Sequence, residues 1–223
     1  LGQFASGVAH EINNPLFVIS GKASRILRKL EKGEAYSQDD LIKELTDIKE
    51  TTKRIEDIVR NLKDISGRGG NCESKVQNVY QMVKKIVSLT HERLRVHDID
   101  LRIDVPEDLE LVCNSVQVSQ VLMNLINNSY QAIEKSPQDK WIQISSDIKK
   151  DKLCLCVTDS GNGINPDVQL EMMNPFFTTK EIGEGTGLGL SISSTIMQNH
   201  NGRLIFDDKS PNTKFIMEFP LLA

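Results

Sequence analysis

At 223 residues the chain is long enough for one large domain or two modest ones, and it can bury a full core. With 39% hydrophobic and 26% charged residues and a net charge of -4, it has no basic field of the kind a nucleic-acid surface needs, so an anionic ligand must be held by local geometry. No apolar run approaches the length of a membrane span and no secretory signal is present; the absence of an initial methionine reads as a fragment whose upstream regions, with any membrane attachment, lie elsewhere.

Residues 1 to about 32 form the first expected helix, ending near Gly33. Phe4, Val8, Ile12, Pro15, Ile19, Ala23, Ile26 and Leu30 recur at intervals of three and four, the apolar stripe of a helix. His10 falls almost opposite that stripe with Glu11 beside it, and Asn14 follows one turn later on the same side. A lone histidine is most often a solvated residue or a satisfied core one, and this segment by itself does not decide. A second helix spans about 38 to 66, with Leu41, Leu45, Ile48, Ile55, Val59 and Leu62 on one side and Ser37, Asp39 and Asp40 at its N-terminus. Two amphipathic helices on a short loop cannot enclose a core alone, so the pair predicts a homodimeric four-helix bundle.

Gly67-Arg68-Gly69-Gly70-Asn71 breaks both periodicities and reads as a linker, which divides the chain into a helical hairpin (1–66), a linker (67–75) and a second domain (76–223). Beyond it Asp98 to Val105 alternates as a strand, Ser115 to Lys135 is a long helix, and Trp141 to Ile148 and Leu153 to Thr158 are strands joined at Lys149-Lys150-Asp151. A helix from about Gly187 to Asn199 and strands Arg203 to Asp207 and Lys214 to Phe219 complete the pattern, a two-layer α/β sandwich with mostly antiparallel strands. Of the four cysteines, Cys72, Cys113, Cys154 and Cys156, none has metal-ligand spacing. Cys154 and Cys156 read as two small side chains on one strand face, and reduced thiols in a cytosolic compartment fit best.

Four constellations follow the linker. On the long helix, Val118, Val121, Leu122, Leu125, Ser129 and Ala132 make the expected buried face, while Asn124, Asn128 and Gln131 cluster on one flank. Amides offer neutral oxygens suited to Mg²⁺ shared with phosphates, although an asparagine-rich face is more often merely solvated. Asp159-Ser160-Gly161-Asn162-Gly163 follows a strand: its carboxylate can accept from an exocyclic amine and its glycines admit a planar base, yet many tight turns look the same. Asn174-Pro175-Phe176-Phe177-Thr178-Thr179-Lys180 reads as a hinged flap with an aromatic anchor, or as a loop pinned to the core by one ring. Gly183-Glu184-Gly185-Thr186-Gly187-Leu188-Gly189 runs into a helix, so its N-H groups and the helix N-terminus form a phosphate cradle. It is not the G-x-x-x-x-G-K-[ST] loop, because no lysine followed by Ser or Thr stands at the required place.

Taken in order, the His10 segment and these four constellations resemble the phosphoacceptor box and the N, G1, F and G2 boxes of the sensor histidine kinases of two-component systems. The resemblance covers nearly the whole chain and implies an ATP-binding domain of the Bergerat type, shared with the gyrase, chaperone and MutL ATPases. It implies that His10 is phosphorylated from Mg-ATP, that Glu11 orients the imidazole or accepts its proton, and that Asn14 positions water when the partner regulator is dephosphorylated. By the same similarity Asn128 is the Mg²⁺ ligand and Asn124 supports the phosphates; Asp159 recognises adenine in a pocket shaped by Gly161 and Gly163. Phe176 and Phe177 belong to the ATP lid, and Lys180 reaches the phosphates. Gly185, Thr186, Gly187, Leu188 and Gly189 line the triphosphate, and Thr213 lies near the adenine.

Two departures stand out. Asn212 occupies the usual glycine of the family's Gly-Thr-x-Phe ending, where asparagine also tolerates a left-handed turn, and Gln131 and Ala132 replace the common N-box lysine and its aromatic or hydroxyl neighbour. The implied partners are a second copy of the chain and the receiver domain of a response regulator, whose aspartate takes the phosphoryl group and which the kinase also dephosphorylates. The rival from another class is a nucleotide-gated dimeric interaction module of the same ATPase superfamily without self-phosphorylation. Pro15 is expected to bend or loosen the first helix one turn after His10.

Overall fold

A computed structural model describes the backbone of residues 2–33, 36–65, 74–180 and 186–221, and their side chains except those of 2–11, 54, 57, 58 and 60–65. The linker Gly67 to Asn71, Cys72, and Gly183 to Gly185 lie outside the described residues, as do the side chains of Phe4, Val8, His10, Glu11 and Leu62. The chain forms a helical hairpin and an α/β unit, each taken by itself.

The hairpin consists of α1 (Gly2–Glu31) and α2 (Gln38–Ile65). Gly33, at φ +65°, ends the first helix in the left-handed conformation that only glycine adopts without strain. Ser37 opens the second: its Oγ accepts the Asp40 N-H at 3.1 Å and donates to the Asp40 carboxylate at 2.7 Å. The two helices run antiparallel and are tied by Lys22, whose ammonium bonds Glu44 at 2.9 Å and Asp47 at 2.7 Å, and by Arg25 on Glu44 at 3.0 Å. The hydrogen bond to Asp47 raises the Lys22 pKa, and the same bond lowers that of Asp47. Ile12, Ile19, Ala23 and Ile26 are half-buried and Pro15 is buried, whereas Leu16, Phe17, Leu27, Leu30, Ile42, Leu45 and Val59 remain exposed. The apolar surface of the hairpin is therefore wider than the seam its own two helices cover.

The α/β unit contains β1 (Lys75–Asn78), α3 (Val79–Val96), β2 (Ile99–Asp104), β3 (Glu110–Cys113), α4 (Ser115–Ile133), β4 (Lys140–Lys149), β5 (Lys152–Asp159), α5 (Pro166–Glu171), α6 (Gly189–Asn199), β6 (Arg203–Phe206) and β7 (Lys214–Pro220). Five strands form one sheet in the order β2-β4-β5-β7-β6, with β2 parallel to β4 and every other pairing antiparallel; β1 and β3 form a separate antiparallel ribbon. Lys150 and Asp151, at φ 48° and 59°, make the two-residue turn between β4 and β5 whose twist matches that of the strands.

Helices α3, α4 and α6 cover one face of the sheet. Val118, Val121, Leu122, Leu125, Ile126 and Ile133 of α4 pack towards Ile142, Ile144, Leu153, Leu155, Val157, Met217 and Phe219, all essentially without solvent contact. Each such side chain contributes about 1.5–3 kcal/mol on burial, so this layer dominates the stability of the unit. The expected buried face of α4 needs one correction: Ala132 is exposed, and the buried line continues through Ile133, one turn after the buried Ser129. Cys154 and Cys156 share the other face of β5, opposite Leu153, Leu155 and Val157.

Four elements were not anticipated from the sequence: β1, α3, β3 and α5. The α3 signal is present in Asn78, whose side chain accepts the Gln81 N-H at 2.8 Å as an N-cap, and in the buried positions Val79, Met82, Val83, Ile86, Thr90 and Leu94. The strands of the ribbon are only four residues long and expose Val76 and Val112, too short a stretch for alternation to be read.

Candidate functional site

Strand parity builds the first part of the site. Leu153, Leu155 and Val157 point under the helices, and the next inward position, at the very end of β5, is Asp159. On the neighbouring strand Phe215, Met217 and Phe219 point inward, and the position two residues before them is Thr213. The backbone joins the two: Asp159 N-H donates to Thr213 O at 3.0 Å, and Thr213 N-H donates to Gly161 O at 3.1 Å. Asp159 is only 1% exposed, and burial pushes its carboxyl above the usual range, while hydrogen bonds from the Ser129 hydroxyl, the Gly161 N-H and the Thr213 hydroxyl act in the opposite sense. This is a carboxylate oriented by three donors from three segments, a fixed acceptor for an amine.

Gly161 is required here by space. A Cβ at this position would lie 2.8 Å from Asp159 Oδ1 and 2.9 Å from Thr213 Oγ1. Gly163 is required by conformation instead, with φ +85° and open surroundings. Asn212 is handled differently from expectation. It does not occupy the left-handed region; its side-chain amide donates to Gly161 O at 3.3 Å and so replaces backbone freedom with a hydrogen bond.

The second part lies between α4 and α6. Asn124 donates to Ser193 Oγ at 2.9 Å, and Gly189, the first residue of α6, lies against the Asn124 amide so closely that any Cβ would collide with it. Asn128 and Gln131 share that flank, Asn128 half-buried and Gln131 exposed. The N-cap of α6 is Leu188, whose side chain makes no capping bond, and the start of a helix, with its first-turn N-H groups and positive dipole end, attracts anions. Phe176 and Gly187 meet at the base of the connection between α5 and α6: Phe176 N-H donates to Gly187 O at 2.9 Å, both residues have positive φ, 70° and 64°, and a Cβ on Gly187 would overlap the Phe176 backbone. Phe176 and Phe177 are half-buried, and Lys180 and Thr186 belong to the same connection; Gly185 lies outside the described residues.

In the hairpin, His10 and Glu11 lie on the backbone of α1, which continues through Pro15, and Asn14 is exposed one turn after His10. The structure thus brings together Asp159, Gly161 and Thr213, and separately Asn124 with Gly189 and Phe176 with Gly187. Ser129 bonds Asp159 and Ser193 bonds Asn124; the sequence reading placed Ser129 on the buried α4 face without a role and did not mark Ser193. Ser129 had a signal, since it stands on the buried α4 face one turn after Leu125, where a hydroxyl requires a partner.

A sheet whose inward strand end presents a carboxylate beneath an asparagine-flanked helix, with a glycine-rich helix N-terminus alongside, defines an ATPase domain, here preceded by a two-helix module. Residues 113–223 match the family described as histidine kinase-, DNA gyrase B-, and HSP90-like ATPase, and residues 1–69 match the His Kinase A (phospho-acceptor) domain. The C4-dicarboxylate transport sensor protein DctB of Rhizobium meliloti is 32% identical over 216 residues, 96% of this chain and 34% of that protein. The sensor protein FixL of Bradyrhizobium diazoefficiens is 31% identical over 205 residues, 92% of this chain and 40% of that protein. The chain therefore spans about a third to two-fifths of the length of these relatives. Among solved structures, the catalytic domain of the histidine kinase ThkA superposes with a TM-score of 0.59 at 31% identity, covering 68% of this chain and 99% of that one. ThkA in complex with the response regulator protein TrrA matches 100% of this chain and 62% of that one, with a TM-score of 0.75 at 27% identity. The chain belongs to the sensor histidine kinases of two-component systems.

Proposed function

We propose that this chain is the catalytic core that moves the γ-phosphoryl group of ATP onto His10 and then onto an aspartate of a response regulator. The observation that supports it most is the meeting of Asp159, Ser129, Gly161 and Thr213 at one strand end, one layer beneath the Asn124 and Asn128 flank of α4. In this reading Asp159 accepts from the adenine amine, with Gly163 shaping the pocket, and the N-H groups from Gly187 to Gly189 receive the phosphates together with Gly185, Thr186, Leu188 and Lys180. Phe177 belongs to the lid. Asn128 offers a neutral amide oxygen, which suits Mg²⁺ already bound to phosphate oxygens, and no cluster of three or more acidic, histidine or cysteine ligands competes for the ion among the described residues.

One nitrogen of neutral His10 forms a bond to the γ-phosphorus as the bond to the β,γ-bridging oxygen breaks, releasing ADP. The other nitrogen sheds its proton towards Glu11. Catalysis is then mostly positioning and neutralisation of charge. Asn14, exposed on the same side of α1, orients water for hydrolysis of the phosphorylated regulator. We further propose the division into hairpin (1–66), linker (67–75) and ATP domain (76–223). A homodimer formed through the hairpin covers the exposed Leu27, Leu30, Ile42, Leu45 and Val59. No described helix is long and apolar enough to cross a membrane, and we place this portion in the cytoplasm, where ATP and the regulator are found.

The test is incubation with γ-labelled ATP and Mg²⁺, comparing the native chain with His10→Gln. Acid-labile, alkali-stable label on the native chain alone is the expected result. Equal label on both chains overturns the role of His10, and nucleotide binding without label on either favours a nucleotide-gated clamp.

A further inference from the structure

We infer that His200 is a positioning residue for nucleotide binding: as a neutral imidazole protonated on Nδ1, it holds the C-terminal end of α6 to the N-terminal cap of α4. The proposal rests on the nucleotide reading given above and concerns a residue outside that site.

His200 follows the last residue of α6, and both of its ring nitrogens are engaged. Nδ1 lies 2.8 Å from Ile196 O, a carbonyl in the last turn of its own helix, and Nε2 accepts the backbone N-H of Asn114 at 3.1 Å. A nitrogen that accepts an N-H carries no proton, so the proton is on Nδ1 and is donated to Ile196. The ring also stands edge-on to Phe219, centroids 6.3 Å apart, and Phe219 is 1% exposed. Three contacts from three elements therefore fix its plane.

Asn114 is the N-cap of α4. Its side-chain oxygen accepts the Val116 and Gln117 N-H groups at 3.1 and 3.2 Å, and its own N-H goes to His200. Asn114 is 7% exposed, so water is a poor substitute for the imidazole. At the other end of α6, Gly189 lies against Asn124 in the middle of α4, and Asn124 bonds Ser193. Helices α4 and α6 are thus pinned twice, once beside the phosphate cradle and once at His200. The second pin sets the register of α6 along α4, and that register determines how far the Gly189 end stands from Asn124 and Asn128.

The side chains of Asn and Gln separate the two bonds. In His200→Asn the amide reaches the place of Nδ1 and keeps a donor for Ile196, but nothing replaces Nε2. In His200→Gln the longer side chain brings an oxygen to the place of Nε2 and restores the acceptor for Asn114. The measurements are ADP affinity by calorimetry, KM and kcat for ATP in autophosphorylation, thermal melting, and the ¹⁵N shifts of the His200 ring in the native chain without nucleotide. The expected results are a protonated Nδ1, an ADP Kd raised about tenfold in His200→Asn with kcat at saturating ATP nearly unchanged, and recovery of most of that affinity in His200→Gln. A proton on Nε2, equal weakening in both variants, or melting temperatures that fall while Kd stays constant overturns the inference. Should His200→Asn not fold, the ring tautomer and the Gln variant decide alone. A native chain that binds no ADP sinks the nucleotide reading, whereas the tautomer is read independently of it.

Discussion

Replacing Gly161 by alanine tests whether the adenine end of the site depends on close packing around one carboxylate. The backbone at Gly161 does not have positive φ, so alanine is conformationally acceptable and only its methyl group matters. That methyl would sit 2.8 Å from Asp159 Oδ1 and 2.9 Å from Thr213 Oγ1, about half an ångström inside ordinary contact, so the carboxylate or the hydroxyl must give way. Such overpacking costs about 1–3 kcal/mol. It lowers the melting temperature by roughly 2–4 °C for each kcal/mol in a unit of this size. Displacing a charged acceptor from its ligand costs roughly 1.5–3 kcal/mol more in binding, a rise of roughly 10- to 150-fold in the Kd for ADP. Gly163→Ala separates strain from crowding: it strains a backbone at φ +85° by about 1 kcal/mol yet meets nothing within 4 Å, so stability falls without any displacement of the Asp159 carboxylate. Trp141, the single tryptophan, accepts the Ser160 N-H on its backbone oxygen at 3.0 Å, so its fluorescence during urea unfolding reports on this corner. Calorimetry gives the affinity. If Gly161→Ala binds ADP within twofold of native, crowding around Asp159 is not what shapes the pocket.

Burial raises the Asp159 pKa in the folded chain, so the folded state holds its proton more tightly than the unfolded one, and Asp159 subtracts stability as pH rises from its ordinary 3.8 through the raised value. Asp159→Asn should then gain in urea midpoint relative to native across that rise while losing ADP affinity; a relative loss of stability over the same interval contradicts the assignment. Asp47 works in the opposite direction: the Lys22 bond lowers its pKa, so its contribution is present above 3.8 and is lost as pH falls through the lowered value. Lys22→Met should therefore weaken the hairpin near neutral pH and flatten its acid transition, as followed by helical ellipticity, and an unchanged acid profile counts against the ion pair. Pro15→Ala removes a residue about 3 kcal/mol less favourable than alanine inside a helix, less the packing that buried Pro15 provides. The variant should melt higher and autophosphorylate more slowly, and unchanged kinase and phosphatase rates would remove the idea that α1 must be pliable beside His10.

Periodicity carried most of the fold because the long elements have one wet side and one dry side. Two-residue alternation in β5 and β7 places Asp159 and Thr213 on the dry side, which explains why a charged residue and a hydroxyl end two otherwise apolar rows. Boundaries signalled by chemistry were equally readable, as at Ser37 and Gly33. Relations between elements were not. That Asn124 spends its amide on Ser193, and that Gly189 is small because Asn124 stands in its place, depends on how two helices 65 residues apart settle against each other. Asn212 illustrates a third case: its backbone tolerance suggested one solution, and a side-chain hydrogen bond across the loop supplied another.

The closed neck formed by Phe176 and Gly187 has a consequence for how such chains can diverge. Phe176 and Gly187 are joined by a backbone bond and by mutual lack of space, so the chain before Phe176 and the start of α6 are held together whatever the length between them. Doubling the length of a chain between two such joined ends costs only about 0.6 kcal/mol in closure entropy. Insertions and deletions between the two residues are therefore expected to leave Asp159 and the start of α6 where they are. Relatives built on this neck are free to vary in the length and sequence between its two residues while keeping the neck itself.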